Sequence, residues 1–83
     1  MVTVNLFGTI RGVTGDKELK IDAESVSMLI NEITSYYDNP VLDDKVKGAA
    51  ILLNGKNIVH LKGRKTKLKD GDVVSIFPPV GGG

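Results

Sequence analysis

The spacing of hydrophobic residues changes along this chain, and those changes limit the fold more than any other feature. Near the start, Val2, Val4 and Leu6 alternate with other residues, which is the period of two typical of a strand with one buried face. After Ser25 the spacing becomes helical, and the apolar residues form one stripe: Val26, Leu29, Ile30, Ile33 and Tyr37. Strand spacing then returns near residue 49. The pattern predicts an α+β domain in which one main helix packs on one face of a sheet.

A second strand is predicted after a segment rich in turn residues. Gly8 ends or bends the first strand, and residues 12–16 contain glycine and other residues that favour turns. Residues 17–22 then alternate again, with Leu19 and Ile21 expected to point inward. We expect the first two strands to form a hairpin.

The ends of the main helix are indicated by residue type. Ser25 is a suitable N-cap because its hydroxyl can accept a hydrogen bond from an unpaired backbone N–H of the first turn. Asp22 and Glu24 place negative charge near the positive end of the helix dipole. The pair Asn39-Pro40 is predicted to stop the helix.

The second half of the chain predicts further short strands. Residues 49–53 form an apolar run, and Asn54-Gly55 is a strong turn signal because both residues tolerate positive φ. A short edge strand is predicted from three apolar residues of the next segment: Ile58, Val59 and Leu61. With the last strand at residues 72–77, the prediction is a mixed sheet of four to five strands.

The last strand leads directly into the end of the sequence. Val74 and Ile76 fall on one face of this strand, and Val73, Ser75 and Phe77 fall on the other. A length of 83 residues suits one compact domain and leaves no room for a second core. We expect residues 1–77 to form that domain and residues 78–83 to form an extended, flexible tail.

Two aromatic residues are candidates for a docking surface. By strand alternation, Phe7 and Phe77 both point away from the predicted core. If the first and last strands pair, the two rings share one exposed patch, and such a patch is a candidate protein-binding site. The alternative is ordinary shielding by a loop.

Composition excludes several classes of function. The sequence has no cysteine, which rules out disulfides, thiol nucleophiles, iron–sulfur clusters and cysteine-based zinc sites. His60 is the only histidine, so no metal site is predicted. Glycine spacing matches neither a Walker motif nor GxGxxG, which indicates that any nucleotide belongs to a partner. Without a signal-type start or an apolar run of about 20 residues, we expect a cytoplasmic protein that does not enter the membrane.

Basic residues are concentrated between residues 56 and 69, although the formal net charge is only +1. The most closely spaced are Lys62, Arg64, Lys65, Lys67 and Lys69. No Phe, Tyr or Trp lies among them to stack on bases, so the segment favours a solvated loop over a nucleic-acid site.

The end of the sequence is its most unusual part. Pro78 and Pro79 favour a stiff, extended exit from the last strand because the proline ring fixes φ. The glycines that follow, Gly81-Gly82-Gly83, can enter a channel too narrow for a side chain. A glycine-rich end is also typical of a frayed terminus or a linker. The two prolines attached directly to a strand favour a functional tail.

The chemistry that such a tail offers is that of the α-carboxylate of Gly83. A terminal α-carboxyl group ordinarily has a pKa of about 3.3 to 3.7, so it is ionised at neutral pH. An ionised carboxylate is a poor acyl electrophile, and it must therefore be activated, for example as an acyl-adenylate formed by a partner that uses ATP. Sulfur or an amine can then attack the unhindered carbonyl, so we expect the catalytic residues in the partners.

Residues 68–83, which read LKDGDVVSIFPPVGGG, resemble the end of the small subunit of molybdopterin synthase, the MoaD family. That family is a ubiquitin-like β-grasp group related to the thiamine sulfur carrier, ThiS. The resemblance covers nearly the whole chain, with further similar segments at residues 4–11, 25–29 and 53–55. It implies a β-grasp fold in which the first and last strands are central neighbours.

The resemblance also implies a mechanism and partners. An E1-like enzyme would use ATP to adenylate Gly83, and a sulfur donor would convert it to a thiocarboxylate, with Gly82 as the other member of the terminal pair. The tail would then enter the large subunit of molybdopterin synthase and deliver sulfur to a pterin precursor. This chain would be the non-catalytic small subunit and would bind no cofactor itself. The residues implied to face the partners are Phe7, Phe77, Pro78, Pro79, Val80 and Gly81.

Three other functions stay open at the level of sequence. Residues 61–67 resemble those of archaeal-type members, some of which look like protein modifiers. In a modifier, a lysine amine of a target protein attacks the activated carbonyl of Gly83. A thiamine-type carrier fits less well because this chain is longer and has the diprolyl stem. An RNA-binding β-grasp module would keep its function after deletion of the tail.

Overall fold

The computed structural model describes residues 1–79, which form one mixed sheet with helices packed on one face. The strands are β1 (Val2–Leu6), β2 (Glu18–Ile21), β3 (Ala50–Leu53), β4 (Lys56–Asn57) and β5 (Val73–Phe77). The helices are α1 (Gly8–Thr14), α2 (Val26–Tyr37) and α3 (Pro40–Lys47). Short 3₁₀ turns follow β4 at Ile58–His60 and Gly63–Lys65. Among residues 1–79, no helix has both the length and the apolar character needed to cross a membrane.

β5 lies at the centre of the sheet, whose strand order is β2-β1-β5-β3-β4. β1 and β5 pair in parallel, with Val4 opposite Val74 and Leu6 opposite Ile76. The other neighbouring strands pair antiparallel, including the predicted pair of β1 and β2. This arrangement confirms the β-grasp fold and the central pairing of the first and last strands.

The core lies between the sheet and the helices. β1 and β5 bury alternate residues, so Val4 and Val74 are fully enclosed while Val73 and Phe77 stay exposed on the other face. α2 buries the predicted stripe, which consists of Val26, Leu29, Ile30 and Ile33, with Tyr37 packed at its edge. Burial of these apolar side chains is the main stabilising contribution to the domain.

Ser25 caps α2 as predicted. Its Oγ accepts a hydrogen bond from the backbone N–H of Met28 at 3.2 Å. At the other end, Asp38 adopts a left-handed φ of 48°, and its N–H donates to the carbonyl of Thr34. Local hydrogen bonds therefore satisfy backbone groups at both ends of the helix.

The prediction of a simple turn between β1 and β2 is wrong, because this connection contains α1. Its glycines and its β-branched residues, threonine among them, make the segment a weak helix former by itself. Ile10 is nevertheless fully buried, and α1 packs against α3 and β5. Tertiary packing therefore stabilises a helix that local propensity does not indicate.

The pair Asn39-Pro40 ends one helix and begins another. α2 stops before it, as predicted, but Asn39 Oδ1 accepts the N–H of Val41 at 2.9 Å and caps α3. Pro40 occupies the start of α3, where its missing N–H removes no intrahelical bond. Leu42 and Val46 lie one turn apart and are buried in the core.

One smaller expectation, the edge strand after residue 55, also requires correction. The edge strand is β4, and the residues predicted for that edge lie in or just after a 3₁₀ turn: Ile58, Val59 and Leu61. The turn forms because Asn57 Oδ1 accepts the N–H of Val59 at 3.0 Å, which directs the chain away from β3.

Candidate functional site

The end of β5 and the residues that follow it form the candidate site. β5 is hydrogen-bonded on both sides, to β1 in parallel and to β3 antiparallel. Just beyond β1, the N–H of Phe7 donates to the carbonyl of Ile76 at 3.2 Å. Pro78 therefore leaves the domain from the central strand of the sheet.

Pro78 and Pro79, the stem, pack against two glycines from distant parts of the chain. A Cβ placed on Gly8 would lie 2.8 Å from Cγ of Pro78. A Cβ placed on Gly48, which caps the end of α3, would lie 3.0 Å from Cγ of Pro79. Both contacts therefore depend on residues that lack a side chain. The sequence indicated a stiff stem but not its contacts, because no local spacing connects these glycines with the prolines.

Phe7 and Phe77 stack beside the stem and form one aromatic pair. Their ring centroids are 4.4 Å apart and the ring planes are within 10° of parallel. Phe77 keeps 36% of its surface exposed, and Phe7 is half-buried. Arg11, which the sequence did not indicate, lies with Cζ 5.5 Å from the centroid of Phe7 while its Nε donates to the carbonyl of Leu6 at 3.0 Å. The patch therefore combines apolar surface with a guanidinium held over an aromatic face.

The aromatic pair belongs to the open face of the sheet, and the centre of this face is uncharged. The residues that share the face on β1, β3 and β5 are Thr3, Asn5, Ala50, Leu52, Val73 and Ser75. Charged side chains on this face lie on β2, where Lys20 is opposite Thr3 and Glu18 is opposite Asn5. A neutral centre with aromatic residues and a charged rim is the composition of a protein–protein contact surface.

The opposite end of β5 is fixed by a buried carboxylate. Asp72 accepts hydrogen bonds from the backbone N–H of Lys69 at 2.9 Å and from Nδ2 of Asn54 at 3.0 Å. These two donors, the Lys69 N–H first, lower the pKa of Asp72 from its ordinary value of 3.8. Asn54 Oδ1 in turn accepts the N–H of Val73 at 2.9 Å. The predicted turn at Asn54-Gly55 is therefore tied to the start of β5.

Tyr37 is a second side chain whose pKa departs from its ordinary value. Burial raises its pKa, and its hydroxyl also donates to Asp16 Oδ2 at 2.6 Å. The bond ties the end of α2 to the segment between α1 and β2. Neither Tyr37 nor Asp72 contacts the stem through these bonds, and both serve the fold.

The predicted reactive residues lie outside the described part of the chain. Val80, Gly81, Gly82 and Gly83 follow Pro79, and their roles in the carrier end stay predictions. The described residues show where the stem leaves the sheet and what holds Pro78 and Pro79, the two residues before Val80.

The sheet order, the helix across its inner face and the stem that continues β5 define a ubiquitin-like protein of the β-grasp class. The chain belongs to the ThiS family, whose sequence profile matches residues 4–83. The match includes the whole stem and the glycines after it. By class, the chain is therefore a sulfur carrier or a ubiquitin-like modifier.

Small archaeal modifier proteins and a chain of a molybdopterin-converting factor are similar to it. Small archaeal modifier protein 3 of Haloferax volcanii is 38% identical over an alignment of 88 positions, which covers 96% of each chain. The solution structure of small archaeal modifier protein 1 from Methanosarcina acetivorans has a TM-score of 0.88 at 35% identity, over 99% of this chain and 95% of that one. A chain from the complex of subunits 1 and 2 of the molybdopterin-converting factor of Helicobacter pylori has a TM-score of 0.68 at 33% identity, over 99% and 97%.

Proposed function

We propose that this chain is a carrier protein whose Gly83 is activated by a partner enzyme and then loaded with sulfur. The main support is that the family match extends through Gly83, beyond a stem that leaves the centre of the sheet. The folded domain acts as a rigid handle, and the reacting atoms belong to the tail. We expect these reactions in the cytoplasm, together with an ATP-dependent activating enzyme.

The proposed loading begins with adenylation. A carboxylate oxygen of Gly83 attacks the α-phosphorus of ATP in the site of an E1-like enzyme, and pyrophosphate leaves. A persulfide of a sulfur donor then attacks the carbonyl carbon, and AMP leaves with the bonding electrons. A thiol reduces the resulting acyl disulfide to the thiocarboxylate. The partners supply the catalytic groups and bind the nucleotide.

We assign the loaded sulfur to the synthesis of molybdopterin, the cofactor of molybdenum and tungsten enzymes. In this role the chain is the small subunit of molybdopterin synthase, and its tail delivers sulfur inside the large subunit. The similarity to a complex of two molybdopterin-converting subunits supports this assignment. The proposed contact surface is the aromatic pair, Phe7 and Phe77, with entry of the tail guided by Pro78, Pro79, Val80 and Gly81.

Protein modification is the second candidate, and a specific observation favours it. The chain is 38% identical to a small archaeal modifier protein over 96% of both chains. The adenylation step is the same, but a lysine amine of a target attacks the activated carbonyl. A C–N bond forms, AMP leaves and the amine loses a proton, which gives an isopeptide.

Intact mass measurement tests the shared first stage. The chain is incubated with its E1-like enzyme, ATP and a sulfur donor, and we expect one oxygen to be replaced by sulfur at the C-terminus. A variant that lacks Gly82 and Gly83 keeps every residue of the described domain and is expected to stay unchanged. An unmodified full-length chain, in the presence of an enzyme shown to be active, contradicts the proposal.

The fate of the activated end separates the two candidates. Addition of the large subunit and a pterin precursor should return the carrier to its carboxylate mass and yield a sulfur-containing pterin. In cells, isopeptide conjugates that disappear when Gly82 and Gly83 are deleted would instead identify a modifier. Function retained after the same deletion would favour an RNA-binding module.

A further inference from the structure

We propose that Gly8 and Gly48 are positioning residues that aim the stem toward the partner enzyme. Together they form a two-glycine cradle for Pro78 and Pro79. The inference rests on the proposed function, because the direction of the stem matters only if a partner must receive the tail. The cradle acts through the stem and does not itself touch the carboxylate of Gly83.

The cradle holds two consecutive residues at points that belong to different helices. Gly8 starts α1 and Gly48 caps α3. α1 and α3 pack against each other, so the core fixes the distance between the two glycines. One contact would leave the stem free to pivot, whereas contacts at both rings define a direction. Each proline ring also fixes φ, which limits how far the stem can bend between the two contacts.

Gly48 is informative because its backbone does not require glycine. Its φ of −100° and ψ of 6° lie in a region that other residues also adopt. The obstacle to a side chain is Pro79, whose Cγ would lie 3.0 Å from the new Cβ. The contact with the stem is therefore a sufficient reason for glycine at this position.

Gly8 is needed for two reasons that can be separated. Its φ of 55° is left-handed, and a Cβ there would also lie 2.8 Å from Cγ and 3.3 Å from Cδ of Pro78. Gly15 has a similar left-handed φ of 76°, but no atom would lie within 4 Å of its Cβ. Substitution of Gly15 therefore reproduces the backbone strain without the contact with the stem.

The direction of the stem sets where the tail starts, so a displaced stem lowers the fraction of bound carriers whose Gly83 reaches the reacting atoms. Gly83 is four residues beyond Pro79, and four residues span up to about 13 Å. A displacement of about 1 Å at a reacting group can cost about 100-fold in rate. We therefore expect cradle variants to lower the rate of adenylation while docking of the sheet face is unchanged.

The first experiment compares Gly48→Ala with Gly12→Ala. Gly12 lies in α1 with no atom within 4 Å of its Cβ position, so it is the matched control. ATP–pyrophosphate exchange by the E1-like enzyme is measured against the concentration of the carrier. We expect kcat to fall about tenfold for Gly48→Ala with KM within about twofold, and no change for Gly12→Ala. Equal kcat values for the two variants would overturn the proposal.

The second experiment compares Gly8→Ala with Gly15→Ala. Both substitutions strain the backbone, so both are expected to lower the melting temperature. Only Gly8→Ala is expected to lower kcat when the assay is run well below both melting temperatures. A parallel loss of kcat in the two variants would show a general effect of strain and would count against the cradle.

NMR separates failure of the cradle from failure of the proposed function. In the unmodified chain we expect NOEs from the Hα protons of Gly48 to the Hγ protons of Pro79, and from Gly8 to Pro78. If an active E1-like enzyme does not adenylate the chain, the proposed function fails and these NOEs alone decide whether the cradle holds the stem. Their absence would overturn the cradle whatever the outcome of the enzyme assay.

Discussion

Asp72 is buried at the point where the chain enters β5, and its carboxylate accepts from the N–H of Lys69 in the preceding turn and from the side chain of Asn54, which is distant in sequence. Asp72→Ala leaves the N–H of Lys69 and the side chain of Asn54 without this acceptor. We expect the free energy of unfolding at pH 7 to fall by about 1 to 3 kcal/mol, which is the usual cost of unpaired buried polar groups. Urea unfolding of the two proteins measures this difference.

The pH dependence of the stability difference between wild type and Asp72→Ala tests whether the ionised carboxylate of Asp72 causes that difference. The pKa of Asp72 is lowered in the folded state, so its carboxylate stabilises the fold above the ordinary value of 3.8. That contribution is lost as the pH falls through the lower, folded-state pKa. The difference between wild type and Asp72→Ala should therefore shrink below about pH 4. Asp44→Ala, at an exposed position of α3, is the control, and an equal loss of stability there would contradict the assignment.

At the residue scale, sequence predicts what depends on chain neighbours. The capping role of Ser25 follows from the helix directly after it, and the turn at Asn54 follows from that residue's tolerance of positive φ, observed at 51°. The bond between Asn54 and Asp72 joins segments that are distant in sequence. The contact of Gly48 with Pro79 does the same. Such pairs leave no periodic signal and appear only when the chain has folded.

The cap of α2 provides a test at the scale of the element. Ser25→Ala removes the oxygen that accepts the N–H of Met28, and we expect a loss of about 1 kcal/mol in the free energy of unfolding. Ser27→Ala is the matched control, because Ser27 is exposed within the same helix and alanine favours helix there. Thermal unfolding of both variants gives the comparison. Equal effects at the two serines would show that the cap contributes nothing.

The helix and the strands with a sustained hydrophobic period were among the elements that the sequence predicted. α2 spans three turns with one apolar stripe, and β1 and β5 alternate along their whole length. α1 and α3 are too short to show a period, and each has few buried residues. Glycines in α1 and the proline that starts α3 are also common in loops. Their helical state depends on packing against each other and on the core.

At the scale of the whole molecule, the aromatic pair is expected to control binding to partners. Phe77→Ala removes a half-exposed ring from the open face and from the stack with Phe7. If this face docks onto the E1-like enzyme or the large subunit, the dissociation constant should rise about tenfold or more, as for aromatic residues at the centre of an interface. Isothermal titration calorimetry with either partner measures this change.

Val59→Ala is the control for that prediction. Val59 is an apolar residue with 72% of its surface exposed, and it lies in a 3₁₀ turn outside the aromatic patch. We expect its dissociation constant to match that of the unmodified chain. If Phe77→Ala binds the partners with unchanged affinity, the docking surface does not include the aromatic pair. Circular dichroism of both variants checks that the fold is retained.

The whole candidate site could be predicted only in part. Strand alternation and the pairing of the first and last strands were enough to bring Phe7 and Phe77 together. The two prolines indicated a stiff stem from their own chemistry. The cradle depends on where α1 and α3 place their end residues, and neither helix was predicted. Because the sequence did not predict α1 and α3, it also did not indicate the two-glycine cradle that their end residues form.

The central position of β5 has a consequence for how the protein is made in the cell. Of the five strands, β5 leaves the ribosome last, yet it is the strand that joins β1 to β3. A chain broken off before Val73 leaves β1 and β3 each with only one neighbouring strand and exposes the apolar groups that Val74 and Ile76 would cover. Such a product is a substrate for chaperones and proteases. Synthesis of the segment that bears the stem is thus also the event that completes the sheet.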